Sequence, residues 1–155
     1  MKKTYQISLM KYITILVATL FLAACSQESI KFNNVDITGS KAFGRLVVMF
    51  FGYTQCPDVC PTTMTEMQGV MDLLGKDADR VQVLFVTVDP DRDTQELLSQ
   101  YVPSFDKRFL GLRPENAEAL QKVTKDFKVF YSKVPGKSAT TYTIDHTAGS
   151  YVFDA

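Results

Sequence analysis

The feature that most limits what this chain can become is a run of eight β-prone apolar residues, Leu46-Val-Val-Met-Phe-Phe-Gly-Tyr53, followed at once by Thr54-Gln-Cys-Pro-Asp-Val-Cys-Pro61. A strand in which neither face is polar must be covered on both sides, which is the habit of parallel sheets. Parallel strands need crossover connections, usually helical, so helices are expected between the strands. The residues after Pro61 supply one, with Met64, Met67, Met71 and Leu74 on one side and Gly75 as a stop. Methionines at helical intervals belong to a core rather than to a set of thioether ligands.

The pattern then repeats. Val81-Gln-Val-Leu-Phe-Val-Thr-Val88 reads as a second buried strand ending at Asp89-Pro-Asp-Arg-Asp93. Asp93 as N-cap with Glu96 three residues later predicts a capping box and a helix to about Tyr101. A short strand is expected at 109–112, and a helix at 116–127 with Ala119, Leu120, Val123 and Phe127 as its apolar stripe. Strands at 129–134 and 142–144 flank the turn signal Pro135-Gly136, and a last strand opens at Ser150. Alternating strands and helices indicate an α/β sheet with ligands at the carboxyl ends of its strands.

The first 45 residues differ in kind. Lys2, Lys3 and Lys11 are the only charged residues among the first 25, and they precede the apolar stretch 12–22 and the small residues Ala23-Ala24. This is the layout of an export signal, too short for a membrane span. Leu22-Ala23-Ala24-Cys25 resembles a bacterial lipobox, which implies cleavage after residue 24 and acylation of Cys25. The division expected is therefore a signal peptide at 1–24, a lipid-anchored polar tether at 25–45 and one folded domain at 46–155. Beyond residue 25 there are 14 basic against 17 acidic residues, a net of −3, with no long run of either sign. Neither a nucleic-acid partner nor a disordered acidic segment is expected from that balance.

An exported chain sits where disulfides form, so Cys56 and Cys60 could be a local staple. A cross-link closing so short a loop constrains the unfolded chain little, which favours a chemical role. With Pro61 expected at the first helical position, Cys60 would lie at the cap and Cys56 just before it, both near backbone N–H groups that favour thiolates. Three intervening residues, instead of the two of a thioredoxin-type redox pair, let both sulfurs face one ion. His146 is the only histidine. Alone it could be a packing residue, but with two thiols it completes a soft, low-coordinate set suited to Cu(I). Zinc would need a fourth ligand from Asp58, Asp89 or water. Asp89 could instead serve a turn, and Asp145 could orient the imidazole of His146.

Three stretches in order, Phe50-Phe-Gly-Tyr-Thr-Gln-Cys-Pro-Asp-Val-Cys-Pro-Thr-Thr63, Phe85-Val-Thr-Val-Asp-Pro-Asp-Arg-Asp-Thr94 and Asp145-His-Thr-Ala-Gly149, together resemble the Sco/SenC family. The resemblance implies an α/β fold with a thioredoxin-like central sheet and flanking helices. It also implies a membrane-tethered copper chaperone that helps build the dinuclear copper centre of cytochrome c oxidase, with Cys56, Cys60 and His146 as copper ligands. The copper-bearing subunit of that oxidase, or another copper acceptor, would be the partner. The expected location is the bacterial cell envelope, lipid-anchored and facing the periplasm or the exterior. Two departures are expected to leave the fold incomplete: family members carry an early segment with an Asp-x-x-Gly turn where Gly44-Arg45 runs directly into Leu46, and they continue past Asp154-Ala155. The rival function is a thiol–disulfide oxidoreductase in which Cys56 and Cys60 act on a partner's cysteines and His146 is expendable.

Overall fold

The computed structural model describes residues 45–137 and 141–154. The expected signal peptide, the tether up to residue 44 and the lipidation candidate Cys25 lie outside the described residues. Strand β1 (Leu46–Gly52) leads through the cysteine loop into helix α1 (Val59–Leu74), and a 3-10 turn delivers the chain to β2 (Val81–Thr87). Helix α2 (Gln95–Tyr101), strand β3 (Leu110–Leu112) and helix α3 (Ala117–Asp126) follow, then β4 (Tyr131–Pro135), β5 (Tyr142–His146) and β6 (Ser150–Phe153). Four strands form the main sheet in the order β3-β2-β1-β6, while β4 and β5 pair only with each other.

β1 runs parallel to β2 from Leu46↔Val81 to Gly52↔Thr87, and β2 parallel to β3. Because both strands end level, the cysteine loop and the Asp89 loop emerge at the same edge. β6 is antiparallel to β1 and forms the outer edge, where Val152 is 62% exposed. Alternation along β1 sends Met49, Phe51 and Tyr53 into a core with Leu84, Val86, Leu120, Val123 and Ile144. Val48 and Phe50 join Met64, Met71, Phe85, Leu98 and Phe109 on the opposite face. Both faces are covered, as the uninterrupted apolar runs require. Met64 and Met71 are fully buried and Met67 packs beside them, so the methionines are core.

Local differences from the expected elements have identifiable causes. Helix α1 starts at Val59 behind the N-cap Asp58, which places Pro61 third in the helix. Proline is tolerated there because the first four N–H groups of a helix have no intrahelical acceptor. Gly75 takes φ +54° at the other end, where only glycine is unstrained, as the stop signal required. α2 is capped by Thr94, whose side chain accepts from the Leu97 N–H. The expected cap, Asp93, is fully buried and turned inward: its carboxylate accepts from the Thr54 N–H and from the hydroxyls of Thr54 and Thr87. Three donors at the strand ends outcompete one solvated helix end. Asn116 caps α3 by accepting from the Ala119 N–H at 2.8 Å.

Candidate metal centre

Tyr53 closes β1, and the Cys56 N–H donates to its carbonyl at 3.2 Å, turning the loop back over the strand end. Cys60, in the first turn of α1, is 2% exposed and packs with Phe50, Met64 and Phe85. Its N–H donates to the Cys56 sulfur at 3.5 Å. Cys56 is half-buried, and both cysteines are free thiols. From the far side of the fold β5 brings His146, whose Nε2 stands 3.5 Å from the Cys60 Sγ. One donor atom from each of Cys56, Cys60 and His146 lies within 4.8 Å of the other two. The structure thus brings together three residues that the sequence singled out, one of them 86 positions from Cys60.

The ring has a defined orientation. His146 Nδ1 lies 3.1 Å from the Thr147 carbonyl oxygen, which can only accept, so Nδ1 carries the proton and the neutral ring offers the Nε2 lone pair to the sulfurs. This corrects the role expected of Asp145: a backbone carbonyl holds the imidazole, and Asp145 is exposed on β5. Asp58 is exposed as well, and neither it nor Asp89 joins the donor cluster. Asp89 is fully buried behind the site, paired with Arg92 and accepting the Tyr142 hydroxyl at 2.8 Å. Cys56 and His146 line a cleft of about 360 Å³, with Pro57, Asp58 and Val59 on one wall and Thr143, Asp145 and Ala148 on the other, while Cys60 lies buried beneath them.

Electrostatics at the Cys60 sulfur differ from the thiolate expected beside a helix start. Burial pushes the Cys60 thiol far above its ordinary range, and its contact with Cys56 pushes the same way. The helix N-terminus does not overcome that desolvation, so Cys60 is a neutral thiol in the metal-free protein at neutral pH. A soft cation that takes this sulfur must displace its proton.

Gly52 makes the close packing possible. A Cβ at this position would lie 2.7 Å from the Cys60 Sγ and 2.8 Å from the Phe85 ring, which is itself fully buried and cannot yield. Gly52→Ala is expected to cost about 1–3 kcal/mol as overpacking and to push the Cys60 sulfur away from His146. Urea unfolding checks the first effect and metal titration the second; wild-type values in both would show that the strand end has slack.

Sequence reading missed Gln55, Arg92 and Tyr142, which link the three segments of the site. The sign available was a buried strand ending in three aspartates and an arginine at the edge that bears the cysteines. Among the described residues no helix is long and apolar enough to cross a membrane.

Residues 28–155 match the SCO1/SenC family model. The SCO2-like protein of Rickettsia conorii is 36% identical over 129 residues, which cover 83% of this chain and 62% of that relative, so the chain spans about three fifths of its length. The structure of Bradyrhizobium japonicum ScoI with copper bound is similar, with a TM-score of 0.67 and 44% identity over 72% of this chain and 69% of the other. A SCO1/SenC family lipoprotein from Bacillus anthracis aligns with a TM-score of 0.59 and 26% identity, covering 72% and 66% of the two chains. The α/β fold, with its central sheet and helices on both faces, is thioredoxin-like. By these motifs, this architecture and the match over residues 28–155, the chain belongs to the SCO1/SenC family.

Proposed function

We propose that this protein carries copper as Cu(I), held by the sulfurs of Cys56 and Cys60 and by Nε2 of His146, and passes it to an acceptor by ligand exchange. The observation that carries the reading is the convergence of two thiols and one oriented imidazole within 4.8 Å beside an open cleft. Two soft sulfurs and a nitrogen suit Cu(I), while a structural zinc site wants four ligands, and neither Asp58 nor Asp89 supplies the fourth. Copper here is cargo, and no turnover chemistry is required of the chain. Family membership supports the copper-bearing subunit of cytochrome c oxidase as the acceptor. The leader at 1–24 would direct export and be removed, and the lipidated Cys25 and the tether at 25–45 would hold the domain at 46–155 on the outer side of a bacterial membrane.

The test is a Cu(I) titration of the reduced protein against a competing chelator. One equivalent is expected to bind, with weaker binding by His146→Ala and none by protein whose two thiols have been oxidised to a disulfide. Equal binding by reduced and oxidised protein would remove the sulfurs from the ligand set and the reading with them.

The uneven exposure of the two thiols favours a second reading, thiol–disulfide exchange. Half-buried Cys56 can attack a partner disulfide, and buried Cys60 can then displace the partner from the mixed disulfide. The partner leaves as a dithiol and Cys56–Cys60 is left oxidised, a balanced two-electron exchange. Full reductase activity in His146→Ala together with no Cu(I) binding by the native chain would favour it.

A further inference from the structure

His146 stands on a two-stranded sheet that shares no ladder with the sheet bearing the cysteines. Beyond its ladder with β4 and the short link through 147–149 to β6, its distance from Cys60 depends on side chains that tie β5 to the rest of the fold. One tie is the Tyr53 hydroxyl, which accepts from the Ile144 N–H at 3.1 Å. The other is Arg92. Its Nη1 donates to the Tyr142 carbonyl at 2.9 Å and to Gln55 Oε1 at 3.1 Å, and its Nε pairs with the buried Asp89. The guanidinium also lies 3.6 Å from the centre of the Tyr142 ring, whose hydroxyl donates to the same Asp89. A single side chain thus touches the loop after β2, the residue preceding Cys56 and the strand that carries His146.

We propose that Arg92 is the positioning residue that sets the imidazole over the paired sulfurs, with Asp89 and Tyr142 holding its guanidinium in place. This deepens the copper reading above and rests on it. The Tyr53 tie holds β5 at Ile144, and the Arg92 contact fixes it two residues to one side, at Tyr142. Ile144 lies midway between Tyr142 and His146, so with Arg92 lost a shift of about 1 Å at Tyr142 becomes a shift of about 1 Å at His146, in the opposite sense, in an extended strand. That is enough to open the 3.5 Å approach of Nε2 to the Cys60 sulfur. Among the described residues Arg92 has its Nη2 buried without a hydrogen-bond partner, a cost set against its ion pair with the buried Asp89. Lysine cannot replace it, since a point ammonium lacks the planar fork that reaches Asp89, Gln55 and Tyr142 together.

The experiment compares wild type, Arg92→Lys, His146→Ala and the double variant, all reduced, by Cu(I) competition titration and X-ray absorption. Arg92→Lys is expected to lower affinity about 10–100-fold, the range for losing a partner that orients a metal ligand, and to lose the nitrogen scatterer while keeping both sulfurs. Adding it to His146→Ala should cost nothing more, because both changes remove the same ligand. Wild-type affinity in Arg92→Lys, a retained nitrogen shell, or a further loss of similar size in the double variant would each overturn the proposal. A metal-free arm reads positioning separately, through the NMR cross-peak between the Cys60 β-protons and the His146 ring. Its loss in Arg92→Lys supports the proposal and its persistence refutes it. If wild type binds no Cu(I), the copper reading fails and this arm still decides on Arg92. Should Arg92→Lys not unfold cooperatively, Tyr142→Phe, which removes only the hydroxyl held by Asp89, takes its place. The expected loss is then about threefold to tenfold, and an unchanged affinity with the cross-peak intact is the overturning result.

Discussion

Cys56→Ser is expected to reduce Cu(I) affinity by more than about 100-fold, beyond the 10–100-fold typical of losing only an outer partner of a ligand, with little loss of folding stability. The two effects separate because Cys56 is half-buried in a loop, and a hydroxyl there stays hydrated. Cys60→Ser should lose affinity to the same degree but also unfold more easily, since it places a hydroxyl among Phe50, Met64 and Phe85 at a cost of about 1–3 kcal/mol. Chelator competition and urea unfolding on both variants check the contrast. The pH sign is fixed by burial of Cys60, which raises the pKa of its thiol. While a thiol remains protonated, each one that binds releases a proton, so apparent affinity falls about tenfold per pH unit per proton on acidification. An affinity that is flat between pH 8 and pH 6 would exclude protonated thiols as ligands.

The second large effect is on the fold. Asp93→Ala should destabilise the protein by about 3 kcal/mol, because it strands the Thr54 N–H and the Thr54 and Thr87 hydroxyls at the end of β1 and β2. Thr54 opens the cysteine loop, so weaker metal binding should accompany the loss. Burial raises the Asp93 pKa despite these hydrogen bonds. The protonation-linked part of its contribution is therefore fully present below the ordinary carboxylate pKa of about 3.9 and declines as pH rises through the raised value, while the hydrogen bonds it accepts from Thr54 and Thr87 persist at pH 7. Asp106 is the opposite case, held low by its hydrogen bond from Arg108, so the stability it supplies is lost as pH falls through its lowered value. Asp93→Ala should consequently move the urea midpoint at pH 7 without removing the acid transition, and Asp106→Ala should change that transition. A wild-type midpoint in Asp93→Ala would mean that water replaces the carboxylate at no cost.

The sheet was legible because its signal is local and strong: Leu46–Tyr53 and Val81–Val88 contain almost nothing that tolerates water. Helix limits were less so. Asp93 carries the sequence signature of an N-cap, yet the donors that claim its carboxylate come from residues up to 39 positions away and leave no periodic trace. Cys60 shows the same limit in its chemistry, since the helix start beside it could be inferred while the desolvation by Phe50 and Phe85 could not. Cys56, Cys60 and His146 stood out as chemically distinctive residues of a chain with a single histidine. What holds His146 in place was hidden, because Arg92 and Tyr142 lie 50 positions apart and look like ordinary surface residues until the hairpin folds back.

The 86-position gap between Cys60 and His146 has a thermodynamic side. An ion bridging them clasps the helix after β1 to the strand β5, a cross-link of the kind whose entropic effect grows with the length enclosed. Since the unfolded polypeptide cannot present the three donors together, loading raises the melting temperature by mass action. A freshly emptied molecule is then the more easily digested one, so protease resistance becomes a direct gauge of whether delivery has taken place.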